Sequence, residues 1–308
     1  MKLRRIISSI AIFLSLTLVA CQNTTNQQPK EIITPTQTTN SNSQKSRIES
    51  AKKIVALTSL SADIIHQLDK SKLVGIAGSS LLNKNPEFKD YVRVSEGQTP
   101  PNLEKIVALK PDLVIGAEGF SNQTIEKIKQ LGIPTLLTKV DSWESFELLT
   151  KNLAQSINAD PQPLLKRYQT FLDVKTTPNI STLVLVSRQP ILSPNKSSWA
   201  GNLLTKFQAK NITADLQASN PIRGYITLSA EKVLEANPEV LIIVNPPQRG
   251  SEKSALESFK QEAFWSKLQA VKNNRVYVFD YYGLVNAGSI DAIEKACKQL
   301  QQSLSEKK

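Results

Sequence analysis

The chain has 308 residues, 40% of them hydrophobic and 21% charged, with a formal net charge of +11, two cysteines and one histidine. That length and balance suit two α/β lobes of ordinary size with well-buried cores and exclude a wholly disordered chain. A single histidine argues against a His-rich metal centre, and two cysteines, one of them at position 21, leave no disulfide within the folded part.

Lys2, Arg4 and Arg5 form a positive start, followed by an apolar run over 6–20 that is short for a permanent span. The run ends in Leu18-Val19-Ala20-Cys21, which resembles the lipobox of bacterial lipoproteins. The resemblance implies a signal peptide over 1–20 and acylation of Cys21 as the first mature residue. The alternative is an ordinary secretory signal with a coincidental cysteine. Residues 21–47 are rich in Gln, Asn, Thr and Ser, with Ile32 and Ile33 as their aliphatics, and cannot bury a core. A flexible tether of that length reaches roughly 30 Å, at about 5–6 Å per square root of residue number. The expectation is an extracytoplasmic protein anchored to a bacterial membrane by its lipid, with no nucleic-acid partner.

A first lobe is expected over 53–140. Its strands fall at 54–57, 73–77, 113–115 and 133–137, and its helices at 61–68, 102–109 and 123–131. Ser59 or Ser61 caps the first helix, Asn102 the second, and Gly132 closes the third. A connecting helical segment over 141–178 begins with a helix at 143–157, where Glu144 is placed to close a capping box. Asp160-Pro161 starts another helix running to about 172. The second lobe, 179–308, continues with strands near 183–186, 240–244 and 276–279 and helices near 203–208, 229–236, 257–269 and 289–304. Alternating strands and helices imply mostly parallel sheets covered on both faces, with ligands held at the strands' carboxyl ends.

One pattern occurs twice, 127 residues apart and without gaps. Asn102-Leu103-Glu104-Lys105-Ile106-Val107 runs to Pro111-Asp112-Leu113-Val114-Ile115, and Ser229-Ala230-Glu231-Lys232-Val233-Leu234 runs to Pro238-Glu239-Val240-Leu241-Ile242. Each is an N-cap, a glutamate in the first turn, a short helix and a buried strand. Two similar lobes facing each other suggest a ligand held between them.

Lys53-Ile54-Val55-Ala56-Leu57-Thr58-Ser59-Leu60-Ser61, Leu73-Val74-Gly75-Ile76 and the whole 102–115 block resemble the vitamin B12 and ferric-siderophore binding-protein family. These are the substrate-binding components of ABC importers, and the resemblance extends from residue 53 to nearly the C-terminus. It implies a class III periplasmic-binding-protein fold, with two Rossmann-like lobes joined by a rigid helix. It also implies a monomer that delivers a small-molecule chelate to a permease dimer with its ATPase subunits. Residues 161–172 would span only about 18 Å as a helix, short for that connector. Either it extends through Lys175 or the lobes sit differently. Glu104 and Glu231 match the family's permease-docking glutamates, and a first-turn carboxylate is well placed to accept an arginine fork. The same residues also serve helix stability alone.

Cargo must be recognised by loops outside the repeat. Arg188, Arg223, Tyr225, Phe120, Trp199 and Tyr282 are the candidates, because aromatics beside arginines suit a flat anionic ligand such as a ferric siderophore. Cobalamin and haem are the alternatives within the class, and a tethered protein without transport is the alternative outside it. No cofactor and no directly ligated metal is expected. His66 reads as a solvated or capping imidazole, and Cys297 as a packed core thiol on a helix face. The chain contains no Gly-x-Ser-x-Gly elbow, Gly-x-Gly-x-x-Gly turn or P-loop, which argues against an enzyme.

Overall fold

The computed structural model describes residues 50–96, 99–173, 176–217, 223–247 and 254–305. The expected leader, Cys21 and the tether lie outside them. Lobe one contains β1 (Ile54–Ala56), α1 (Ser59–Asp69), β2 (Leu73–Ile76), α2 (Ser80–Asn83), β3 (Val92–Arg93), α3 (Leu103–Ala108), β4 (Leu113–Ala117), α4 (Asn122–Gln130) and β5 (Thr135–Thr138). Its strands form one parallel sheet in the order β3-β2-β1-β4-β5.

The chain then passes through α5 (Trp143–Ile157) and α6 (Gln162–Leu172). Lobe two follows with β6 (Ser181–Leu185), β7 (Ser187–Arg188), β8 (Ile191–Pro194), α7 (Trp199–Lys206), β9 (Lys210–Asn211), β10 (Tyr225–Leu228), α8 (Ala230–Ala236) and β11 (Val240–Asn245). It closes with α9 (Ala255–Phe259), α10 (Gln269–Lys272), β12 (Val276–Asp280), the kinked turn α11 (Tyr281–Leu284) and α12 (Ile290–Leu304). A parallel sheet β12-β11-β6-β9 forms its body, and an antiparallel sheet β10-β8-β7 is added beside it.

Successive strand residues face opposite sides, so each central strand feeds two cores. Ile54 and Ile115 of lobe one, with Val184, Ile242 and Val244 of lobe two, belong to one apolar cluster. Trp143, Phe146, Tyr168 and Trp199 lie in the same cluster, so the helices between the lobes share a continuous core with both sheets. The other faces make separate clusters, Val55 and Val114 under Ile106 of α3, and Leu183 and Leu241 under Val233 of α8. Ile106 and Val233 occupy the same position of the sequence repeat.

Several local expectations are corrected. The cap of α1 is Thr58, whose Oγ1 accepts from the Ser61 amide at 3.1 Å. The capping box of α5 is closed by Ser145, because Ser142 is the N-cap and Ser145 therefore holds the third helical position. Glu144 pairs instead with Lys206 of α7. The helix expected over 257–269 is broken into α9, a 3-10 turn at Trp265–Lys267 and α10. Phe259 and Phe264 both bury in the outer core of lobe two. At 3.6 residues per turn, a five-residue spacing would place them about 140° apart on one helix.

The link between the lobes carries two helices, α5 and α6. Residue 158 takes a left-handed turn after α5 (φ 56°), and α6 folds back so that Tyr168 packs on Phe146 at 4.3 Å. Helix α6 ends at Leu172, and Lys175 lies outside the described residues. Cys297 is fully buried in the shared core, where burial pushes its thiol pKa up to about 12.

Candidate functional site

The carboxyl ends of both parallel sheets turn into short loops and helix starts. In lobe one, Ser79 caps α2 immediately after β2, and Pro86–Phe88 adds a 3-10 turn begun by Asn85. In lobe two, β11 ends at Asn245 and β12 at Asp280. Between these ends lies a cleft of about 1110 Å³. Lobe one walls it with Asp63 and residues 80–82 and 84–88, lobe two with Asn245, Pro246, Tyr281, Tyr282 and the first turn of α12. The volume exceeds the roughly 300–1,000 Å³ of ordinary drug-sized sites.

The aromatic part of the wall has a clear local cause. After β12 the chain turns sharply at Tyr282 and Gly283, where φ is 99° at the glycine. A Cβ at Gly283 would meet the Ala292 carbonyl of α12 at 2.1 Å, so this close approach requires glycine. The elbow leaves Tyr281 and Tyr282 edge-to-face, with ring centroids 5.5 Å apart. Burial, then the neighbouring Tyr282, raises the Tyr281 phenol. Tyr225 on β10 is half-buried near Tyr281, and burial followed by Tyr281 raises its phenol as well. The Tyr281 and Tyr225 hydroxyls are therefore held protonated, as hydrogen-bonding groups rather than charges.

The charged part of the wall has both signs. Lys84 and Lys295 stand among Asp63, Glu87, Asp280 and Asp291. Asp280 accepts from Lys295 at 2.7 Å, and Asp291 from Arg167 of α6 at 2.6 Å. Neither expected arginine lines this cleft. The Arg188 guanidinium donates to Glu262 at 3.0 Å, and Arg223 is exposed on the turn before β10.

The expected aromatics separate in the same way. Tyr282 is in the cleft wall and Tyr225 adjoins it. Phe120 is 94% exposed at the tip of the loop after β4, where Ser121 turns back to bond the Ala117 amide. Trp199 does not face the cleft. It is 3% exposed, stacks on Trp143 with centroids 6.2 Å apart, and donates from Nε1 to the Gly283 carbonyl at 2.7 Å. The reason is amphipathic placement: Trp199 opens α7 on the face carrying Leu203, which the shared core covers. Trp199 thus supports the tyrosine elbow from behind.

Glu104 and Glu231 are both exposed in the first turns of α3 and α8. Their caps match, since Asn102 accepts from the Lys105 amide and Ser229 from the Lys232 amide. A hydrogen bond from Ser229 holds the Glu231 carboxyl below its ordinary pKa. His66, expected as a solvated or capping imidazole, is half-buried. Its ring packs on Phe88 at 4.8 Å and its Nδ1 lies 2.9 Å from the Tyr91 hydroxyl, because Tyr91 and Phe88 fold over that face of α1. Burial lowers its pKa.

The segment 80–88 and the first turn of α12 form much of the cleft, yet neither was a site candidate from sequence. Asn85-Pro86 and Ser289-Ile290-Asp291 carry readable turn and cap signals, but such signals mark helix starts everywhere in the chain.

Two parallel-sheet lobes with a shared core and a large cleft of tyrosines and mixed charges define a solute-binding protein. The family model for periplasmic binding proteins matches residues 54–282. The chain is 26% identical over 328 residues to an ABC transporter substrate-binding lipoprotein, YvrC, of Bacillus subtilis (strain 168), covering 97% of this chain and 98% of that one. It is 22% identical over 318 residues to the iron-uptake system-binding protein of the same organism, covering 96% and 98%. Among solved structures, an ABC transporter substrate-binding protein from Listeria monocytogenes EGD-e superposes with a TM-score of 0.68 at 25% identity, covering 82% of this chain and 98% of that one. The chain belongs to the periplasmic binding protein family, with the class III fold, and is a substrate-binding protein of the ABC-importer kind rather than an enzyme.

Proposed function

We propose that the protein is a lipid-tethered capture component that carries an iron chelate of the siderophore type to its permease. The observation carrying this reading is the cleft of about 1110 Å³ between the lobes, with Tyr281 and Tyr282 in its wall. Tyrosine rings offer flat faces for a planar chelate and hydroxyls for its oxygens. The iron-uptake relative supports the cargo class. An anionic chelate is drawn by the net charge of +8 that remains when Lys2, Arg4 and Arg5 leave with the signal peptide (11 − 3), and by Arg223 and Lys84, not by a cluster of cleft arginines. Acylation at Cys21, with 21–47 as tether, keeps the domain near the membrane as a monomer.

Cobalamin or haem is the second reading, favoured by one observation. Arg188 is engaged by Glu262 and the wall carries both signs, which suits a cargo of little net charge such as cobalamin. Quenching of the intrinsic fluorescence of the purified protein distinguishes the two. The probes are a ferric tris-catecholate, a ferric trihydroxamate, haem and cyanocobalamin. The iron reading expects a dissociation constant below ~10 μM for a ferric chelate and weaker binding of cyanocobalamin. Binding of cyanocobalamin or haem without either ferric chelate reverses the assignment, and binding of none rejects both.

Glu104 and Glu231 dock the two lobes on arginines of the permease dimer. The double substitution Glu104→Arg, Glu231→Arg is expected to abolish uptake in cells while leaving cargo affinity unchanged. Normal uptake by that variant would remove the docking role.

A further inference from the structure

Helix α12 belongs to lobe two, yet its first turn is gripped from outside that lobe. Asp63 of α1 in lobe one is 5% exposed, and its Oδ2 accepts from the Ile290 amide at 2.7 Å across 227 residues of sequence. On the other side, Arg167 of α6 donates to Asp291 at 2.6 Å and to Glu294 at 2.7 Å. The same turn supports the cleft. The Ala292 carbonyl lies against Gly283, and a Cβ at Gly288 would strike Tyr282 at 2.5 Å and Leu81 of lobe one at 2.9 Å. Lobe one, the connecting helix and the tyrosine elbow therefore meet at one turn of helix.

We infer that Asp63 is a positioning residue that couples lobe one to the first turn of α12, so that the seating of this carboxylate sets the place of Tyr282 in the cleft. The inference concerns the joint between the lobes and stands whatever the cargo proves to be. Asp63 is suited to the task because an aspartate side chain is short enough to reach the single Ile290 amide from α1.

The joint also responds to pH. Burial raises the Asp63 carboxyl to about 6, against the lowering effect of the Ile290 bond; Asp291 and Glu87 raise it further and Arg167 opposes them. Tyr168 of α6 faces it as a neutral phenol. Asp280 and Lys295 neutralise each other across the wall, Glu294 is occupied by Arg167 and Lys298, and His66, one turn further along α1, is engaged by Tyr91 and Glu87. A carboxyl whose folded pKa lies above its unfolded value of 3.8 binds a proton on folding. The joined arrangement is then favoured as pH falls from above 6 towards 4, and its ionised carboxylate is a cost at neutral pH.

Three proteins test this: wild type, Asp63→Asn and Asp63→Ala, each as the full chain and without cargo. Hydrogen exchange is followed by mass spectrometry in the segment 284–296, and thermal unfolding between pH 5 and 7.5. Asp63→Asn keeps an acceptor and carries no charge. It is expected to protect the segment at both pH values as wild type does at pH 5, and to melt several degrees above wild type at pH 7.5, with the gap narrowing towards pH 5. Asp63→Ala is expected to exchange the segment at least tenfold faster at both pH values while distant strands such as β1 keep their protection. Wild-type protection in Asp63→Ala overturns the coupling role, and a gap between Asp63→Asn and wild type that does not change with pH overturns the titration. If Asp63→Ala does not fold, faster exchange in wild type at pH 7.5 than at pH 5, after correction for intrinsic rates, and its absence in Asp63→Asn carry the same decision; equal pH dependence in the two rejects the inference.

Discussion

The repeated units α3–β4 and α8–β11 are alike where they build lobes and differ where the lobes meet cargo. In both, a polar N-cap bonds the amide three residues on, and the same apolar position, Ile106 or Val233, plugs the outer core. Both helices end in a left-handed residue before proline, Lys110 at φ 47° and Asn237 at φ 33°. The acid after that proline pins the neighbouring strand: Asp112 accepts from the amides of Lys52 and Lys53, and Glu239 from the amide and hydroxyl of Ser181. Beyond this unit the lobes diverge. Lobe one places a short helix and a 3-10 turn against the cleft, whereas lobe two adds an antiparallel sheet and the tyrosine elbow. The shared residues secure a strand between its neighbours; the unshared ones shape the cavity.

The sharpest way to separate scaffold from rim is to truncate one aromatic in each lobe. Trp199→Ala is expected to cost about 3–5 kcal/mol, as for other buried large-to-small changes. Phe120→Ala is expected to stay within about 0.5 kcal/mol. Urea unfolding of the two variants measures both, and equal losses would contradict the placement of Trp199 in the core.

The equivalence of the two strand pins is tested by Asp112→Ala and Glu239→Ala. Each is expected to destabilise by about 1–2 kcal/mol, the scale of a hydrogen-bond pair to a partly solvated carboxylate. Bonds from Ser181 hold the Glu239 carboxyl below its ordinary pKa. Its contribution is therefore present at neutral pH and lost as pH falls below about 4.5 and through the folded pKa. A Glu239→Ala loss that persisted undiminished at pH 3 would show that the side chain acts by packing instead.

The smallest effects concern the left-handed helix ends, where the two lobes should respond with opposite signs. Lys110→Gly is expected to stabilise by about 0.5–1 kcal/mol, because a side chain disfavours that conformation. Asn237→Gly is expected to destabilise by about 1 kcal/mol, since its Oδ1 accepts from the Gln269 amide at 2.8 Å and that bond is lost. Thermal melts of the pair decide the matter, and stabilisation by both would mean the Asn237 bond contributes nothing.

What the sequence determined by itself was local and periodic. The 127-residue repeat, the Asn102 and Ser229 caps, the central strands and the apolar face of α12 all follow from patterns within a few turns of chain. They are legible because capping and alternation are short-range physics. Tertiary structure alone decided the rest. Arg188, expected in the cleft, is held by Glu262 from 74 residues away, and Trp199 is turned into the shared core by Trp143 and Gly283. Asp63, an unremarked helix residue in sequence, becomes the meeting point of the two lobes through an amide 227 residues distant. Partners so far apart leave no period in the sequence; packing between the lobes brings them together, and their chemistry belongs to the assembled fold.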